Sequence, residues 1–238
     1  MAQPGGVLTR AGHTEAGCDI ARLAGFEPAA VIVEILKEDG SMARRTDLEL
    51  LAKEHGLKIG TISDLIRFRM QNEKTVERVA ECTLPTVFGE FRMVAFQDAI
   101  DKNLHLALVK GTIDPEQPTL VRVHVSNPLC DLTGCTLPEH GWPLRSVLQR
   151  VSDEGAGVVV ILCNQFETAD LIAQAQSYGR LPKHGERPAI PKTQDLYTIG
   201  LGSQILSEVG VRKMRVLSAP KRIHSLSGFG LEVVEYVS

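Results

Sequence analysis

The stretch NPLCDLTGCTLPEH, residues 127–140, carries Cys130, Cys135 and His140 at a C-x4-C-x4-H spacing. Thiolates and imidazoles are the donors that zinc takes in tetrahedral sites, and His124 or Cys163 could supply a further one. The spacing matches none of the recurrent zinc signatures, however, and a free cysteine also serves as a small buried hydrophobe. Both readings stay open at this level.

A second cluster is RAGHTEAG, Arg10 to Gly17, where a cation, an imidazole, a hydroxyl and a carboxylate fall within six residues. The pattern places them where a loop enters a helix. That end carries free N–H groups and partial positive charge, so Arg10 and Thr14 suit a phosphate, while His13 can hold a metal or move a proton. The same residues would also make a capped helix with a surface histidine and arginine. Glu34 stands alone inside the apolar run AVIVEIL, 30–36. A carboxylate buried there would have its pKa raised toward the range useful for acid–base work; on an edge strand it would simply face water. If His13 and Glu34 converge, the pair can deprotonate a carbon next to a metal-polarised carbonyl.

These groups need elements to hold them. Thr14 can cap a helix with Ala16, Ile20, Leu23 and Ala24 at helical spacing and Gly25 as its stop. AVIVEIL has the β-branched content of a buried strand. TDLE, 46–49, reads as a capping box opening DLELLAKEH, closed by Gly56; LKIGTI reads as a short strand before the helix SDLIRFRM. Residues 67–82 are densely charged and are expected to connect two domains. After them FGEFRMVAF and NLHLALVKG alternate as strands around the turn QDAIDK, and TLVRVHV continues what should be an antiparallel sheet. WPLRSVLQRV is a helix with Leu144, Val147, Leu148 and Val151 on one face. VVVIL, a polar loop at 180–193, the helix DLYTIGLGSQILSEVG and the strands MRVLS and LEVVEYV follow in α/β order. The expected class is α+β / α/β, and no internal repeat is evident.

Composition removes several partners. The 238 residues carry a net charge of -3 with 43% hydrophobic and 23% charged residues, an ordinary globular balance without the basic excess of a nucleic-acid binder. Five scattered cysteines fit a reducing, cytoplasmic setting. No run approaches the ~18 apolar residues of a membrane span, and MAQPGGVLTR lacks a signal-peptide core. Strand and loop signals begin abruptly at Met1, so the expectation is a truncated product of a longer parent.

GGVLTRAGHTEAGCDIARLAG, AVIVEIL and EDGSMARRTDLELLAKEHGLKIGTISDLI together resemble the C-terminal part of 3,4-dihydroxy-2-butanone 4-phosphate synthase, over residues 4–66. The resemblance implies conversion of ribulose 5-phosphate to dihydroxybutanone phosphate and formate in a homodimer that uses magnesium or manganese. It implies His13 as a metal ligand, Glu34 as the catalytic carboxylate, and Arg10 and Thr14 as contacts to the sugar phosphate. It also implies that other catalytic and metal-binding residues lie in a preceding part of the family's domain, so this chain holds an incomplete site.

Residues 83–238 resemble GTP cyclohydrolase II through LPTVFGEFRMVAF, HLALVKG, TLVRVH, LRSVLQRVSDEGAGVVVIL, IGLGSQILSEVGVRKMRVLS and SLSGFGLEVVEYV. That family implies a catalytic zinc on three cysteines spaced C-x10-C-x-C after the VRVH strand. Without gaps those positions fall on Asn127, Pro138 and His140, and no zinc is expected. The arginine- and glycine-rich phosphate stretch is replaced by NQFETADL. The site arginine and tyrosine are replaced by Tyr197 and Ile199, and the asparagine-rich turn after MRVLS shrinks to APKR. The expected organisation is therefore a synthase portion at 1–66, a linker at 67–82 and a degenerate cyclohydrolase II-like domain at 83–238. The alternatives are a non-catalytic regulatory or dimerisation module and a homologue with weak nucleotide binding.

Overall fold

The structure is a computed structural model that describes residues 1–135, 141–163, 168–178, 192–219 and 226–237. It divides into two compact units, Met1–Arg69 and Met70–Ser238.

The first unit opens with a 3-10 turn at Gly6–Leu8, followed by α1 (His13–Leu23), α2 (Arg45–His55) and α3 (Ile62–Asn72), in which the unit boundary falls. Gly25, at φ 82°, follows the end of α1. The cap of α2 sits two residues before the expected one: Arg44 N–H donates to Asp47 Oδ2 at 2.8 Å, so Asp47 rather than Glu49 closes the capping box. Gly56 ends α2 in the left-handed conformation at φ 64°.

The expected buried strand at 30–36 is not formed. Val31 is 95% and Val33 82% exposed, and the one backbone bridge in this region joins Leu36 to Met42. β-branched composition supplies propensity, but a strand requires a neighbour, and the described residues of this unit provide none alongside the segment. LKIGTI likewise forms no strand.

In the second unit β1 (Val76–Thr86), β2 (Gly89–Asp98) and β3 (Leu104–Lys110) form an antiparallel meander. Residues 67–82, expected as a connection, thus lie mostly in α3 and β1. Their charge has a structural reason, because β1 is an edge strand with exposed residues from Glu77 to Thr83. The sheet order is β1-β2-β3-β5-β4-β6-β7, with β4 (Pro118–Val125), β5 (Gly157–Leu162), β6 (Lys213–Leu217) and β7 (Glu232–Val237). The strand TLVRVHV is not a continuation of the meander: β4 pairs in parallel with both β5 and β6. Hydrophobic alternation marks a strand without marking its direction.

Helices cover both faces. α5 (Leu144–Glu154) buries Val147 and Val151 against Leu120, Leu108 and Val159, while α7 (Lys192–Glu208) buries Leu201 and Ile205 against Val94, Phe96, Val121 and Val160. The short α4 (Pro128–Thr133) and α6 (Thr168–Tyr178) complete the unit. Gly157 and Gly202 are required by close approach, since a Cβ would lie 2.8 Å from Leu120 O in the first case and 2.9 Å from Val123 Cγ1 in the second.

Candidate functional site

At the start of α1 the loop folds back on the helix. Glu15 is fully buried; its Oε1 accepts from Arg10 Nη2 at 2.6 Å, Arg10 Nε at 2.9 Å and the Gln3 amide at 2.9 Å. Arg10, expected to contact phosphate, is therefore engaged by Glu15 while its side chain stays 53% exposed. One turn on, buried Asp19 accepts from the Val7 amide and from Arg69 Nη1, each at 2.8 Å, and Arg69 also donates to Gly5 O at 2.7 Å. Gly6, at φ 64°, leaves room for this carboxylate, because a Cβ there would fall 2.2 Å from Asp19 Oδ1.

His13 is half-buried, whereas Thr14 and Glu34 are exposed. None of the three makes a side-chain hydrogen bond or ion pair among the described residues. Gly17 lets residues 30–32 run along α1, since a Cβ would meet Ala30 Cβ at 2.7 Å and Ile32 Cγ2 at 3.7 Å. His13 shares a helix face with Gly17 by its i,i+4 spacing. A magnesium ion does not fit what this unit offers alone. It would find one imidazole, while Glu15 and Asp19, the buried carboxylates of the same helix, are held by cations and backbone amides.

Glu15 gives a pH test. Arg10 first, and then the Gln3 amide, hold its carboxyl down to about 2, against an ordinary value of 4.5. A depressed carboxylate stabilises the fold above its unfolded pKa, and that contribution is lost as pH falls through the folded one. Protection factors of α1 amides, taken relative to intrinsic exchange at each pH, are expected to fall between pH 4.5 and about 2, and Glu15→Gln should remove this acid limb.

In the second unit topology marks the place where a ligand would sit. β4 leaves toward α5 on one face and β5 leaves toward α7 on the other, while the two strands are parallel neighbours. Their carboxyl ends therefore border a crevice, the usual ligand position in open α/β sheets. Here buried His124 meets Asp131 through Nε2 at 2.9 and 3.0 Å, and Asp131 Oδ2 accepts the Asn127 amide at 2.8 Å. Asn127 caps α4, its Oδ1 accepting from the Cys130 amide at 3.3 Å. Zinc does not fit this position: a neutral amide oxygen already committed to a helix cap replaces a thiolate. Pro138 and His140 lie outside the described residues, as do half of NQFETADL and most of APKR. Cys130 Sγ sits 3.2 Å from Tyr178 Oη.

One group has metal-like composition. Donor atoms of Asp98, Asp101 and His105 lie within 4.8 Å of one another. Imidazole tautomerism argues against a cation there. Cys163 N–H donates to His105 Nδ1 at 3.1 Å, and burial lowers the imidazole pKa, so the neutral ring carries its proton on Nε2. Nε2 is buried and has no partner among the described residues. In this tautomer it has no lone pair to offer a metal. Burial raises the Asp98 carboxyl pKa, while a hydrogen bond from Tyr197 opposes that rise. Tyr197→Phe should cost about 1–3 kcal/mol in urea unfolding. The cost should grow from mildly acidic to neutral pH, because the contribution of an acid with a raised pKa is lost as pH rises through it.

Sequence reasoning missed Glu15, Asp19, Asp98 and His105. The i,i+4 pair Glu15 and Asp19 beside Arg10 was an available signal; the convergence of Asp98 and Tyr197 was not, since 99 residues separate them.

Comparison with known proteins places these geometries. A family model for GTP cyclohydrolase II matches residues 77–238, and one for 3,4-dihydroxy-2-butanone 4-phosphate synthase matches residues 1–68. A protein of Pseudomonas aeruginosa named 3,4-dihydroxy-2-butanone 4-phosphate synthase is 51% identical over the whole chain, which spans 64% of it. Riboflavin biosynthesis protein RibBA of Chlorobium phaeovibrioides is 42% identical over 99% of the chain, which spans 59% of that protein. The crystal structure of RibBX, described as a two-domain 3,4-dihydroxy-2-butanone 4-phosphate synthase from A. baumannii, matches with a TM-score of 0.76 at 47% identity. The match covers all of this chain and 62% of that one. The chain thus spans somewhat less than two thirds of these relatives.

Proposed function

Because the chain belongs to the GTP cyclohydrolase II family, whose model covers residues 77–238, and opens with a match to 3,4-dihydroxy-2-butanone 4-phosphate synthase over residues 1–68, we propose a role in riboflavin biosynthesis carried by the synthase part. The reaction is conversion of ribulose 5-phosphate to dihydroxybutanone phosphate and formate. The cyclohydrolase II-like unit does not hydrolyse GTP. The observation that carries this division is Asn127, which spends its side chain on capping α4 where the family chemistry needs a thiolate.

In the synthase part Glu34 serves as the carboxylate that takes up substrate protons; its exposure leaves it free of internal partners. Arg10, half exposed and paired with Glu15, and Thr14, at the second position of α1, receive the sugar phosphate. With the further synthase segment of its relatives present, His13 would supply one ligand to a magnesium or manganese ion, which when bound would polarise the substrate carbonyl. The oxygen donors must come from residues beyond those described here, and no further step is assigned to the ion. The division into residues 1–66, a linker at 67–82 and residues 83–238, a homodimer and a cytoplasmic setting belong to the same proposal.

Formate is the useful readout, because both chemistries release it from different substrates. With ribulose 5-phosphate and magnesium, this chain joined to the further synthase segment of its relatives is expected to release formate. Glu34→Gln should reduce the rate by at least about 10²-fold. With GTP and zinc, no formate is expected. Turnover of GTP would overturn the assignment of the second unit, and GTP binding without turnover would favour a nucleotide-responsive regulatory module.

A further inference from the structure

Cys130 and Cys135 have the geometry of a redox pair. α4 ends at Gly134, whose φ of 67° turns the chain back, and both the Gly134 and the Cys135 amides donate to Cys130 O, the latter at 3.1 Å. This six-to-one closure folds residue 135 over residue 130, which an uninterrupted helix would hold well apart. The same backbone closure sets Cys135 beside Cys130, and the neighbouring thiol adds to the rise that burial gives the Cys130 pKa. Among the described residues no third histidine, cysteine or carboxylate joins them in a donor group that could hold a metal. The thiols differ in access, since Cys130 is buried and Cys135 partly exposed.

We infer that Cys130 and Cys135 form a peroxide-sensitive dithiol that closes to an intramolecular disulfide and, in doing so, withdraws Cys130 from Tyr178 of α6. The accessible Cys135 thiolate attacks one peroxide oxygen, the O–O bond breaks, and hydroxide leaves with its electron pair, giving a sulfenic acid on Cys135. The Cys130 thiolate then attacks that sulfur, the S–O bond breaks and a second hydroxide leaves. The two thiol protons and the two hydroxides make two waters for each peroxide reduced. Burial raises the Cys130 pKa, so closure should quicken with rising pH as the thiolate forms.

The consequence is structural. In the reduced state Cys130 Sγ lies 3.2 Å from Tyr178 Oη, and the same hydroxyl is also hydrogen-bonded to the Asn127 side chain, tying α6 to α4 at the carboxyl end of β4. In the disulfide Sγ is bonded toward residue 135, which changes its distance and direction from the Tyr178 hydroxyl, whichever of the two atoms donates in the reduced contact.

Arg122 and Arg145 bound a tryptic peptide that holds both cysteines and no other. Titration of the full chain with hydrogen peroxide, followed by alkylation and mass mapping, is expected to give this peptide lighter by two hydrogens and unalkylated, with dithiothreitol restoring uptake at both sites. Hydrogen exchange in α6 should rise with the oxidised fraction. In Cys135→Ser the mass loss should vanish and Cys130 should remain alkylatable after unfolding. Oxygen addition at Cys135 with Cys130 still free would overturn the inference. So would a peptide that stays reduced under conditions that oxidise the exposed Cys82.

Discussion

Asp19→Ala is expected to destabilise the N-terminal unit by about 3–5 kcal/mol. Asp19 and Arg69 are each about 6% exposed at the side chain and meet at 2.8 Å, so the substitution removes a carboxylate from beside a desolvated guanidinium. It also strips the acceptor from the Val7 amide, which Asp19 Oδ2 takes at 2.8 Å. The measurement is hydrogen exchange of α1 amides across a urea series. Asp19→Asn should cost less, because the amide oxygen can still accept from Val7, although the charge is gone. The double replacement Asp19→Leu with Arg69→Met removes both charges and should recover much of the loss. Equal exchange in wild type and Asp19→Ala would show that the pair is not what fastens the N-terminal turn to its helix.

Gln204→Leu is the second large effect, at about 3–6 kcal/mol for three backbone groups left without partners at 1–3 each, in part offset by relaxation. Gln204 Oε1 accepts from the Thr75 amide at 2.9 Å, and its Nε2 donates to Met70 O and Glu73 O, both at 2.9 Å. One buried amide thereby bridges three backbone groups of the segment that joins α3 to β1. Leucine preserves volume, so the loss isolates hydrogen bonding from packing. Gln204→Glu should be comparably harmful at neutral pH, because it points a carboxylate at two carbonyl oxygens. The midpoint of urea unfolding followed by Trp142 fluorescence reads both variants.

Most elements of the second unit were legible because their amphipathic patterns are long: Leu144, Val147, Leu148 and Val151 do line one face of α5. Parallel pairing of β4 was not, since its alternation is the same in either direction. AVIVEIL shows the opposite limit, where propensity was clear and the partner that converts propensity into structure lay beyond the local sequence. Site residues followed the same division. The register after VRVH puts Asn127 where the family resemblance implies a thiolate, but its capping role depended on where α4 begins. Gln204 sat in plain view in IGLGSQIL, yet its three partners lie about 130 residues earlier in the chain.

The seven-stranded sheet ends in two open edges, and both are built alike. β1 carries an extra residue at Val79, where the register with β2 shifts between Arg78 and Ala80. β7 carries one at Val234, where Met214 pairs Val233 and Arg215 pairs Glu235. Each bulge pushes its valine out of the ladder, and charged neighbours flank it: Glu77, Arg78 and Glu81 on one edge, Glu232 and Glu235 on the other. A kinked, charged edge is a poor template for a further strand. Colloidal behaviour follows from this. The sheet can be concentrated without growing laterally into fibrils, and straightening either edge by deleting Val79 or Val234 would expose an aggregation route that the bulges now close.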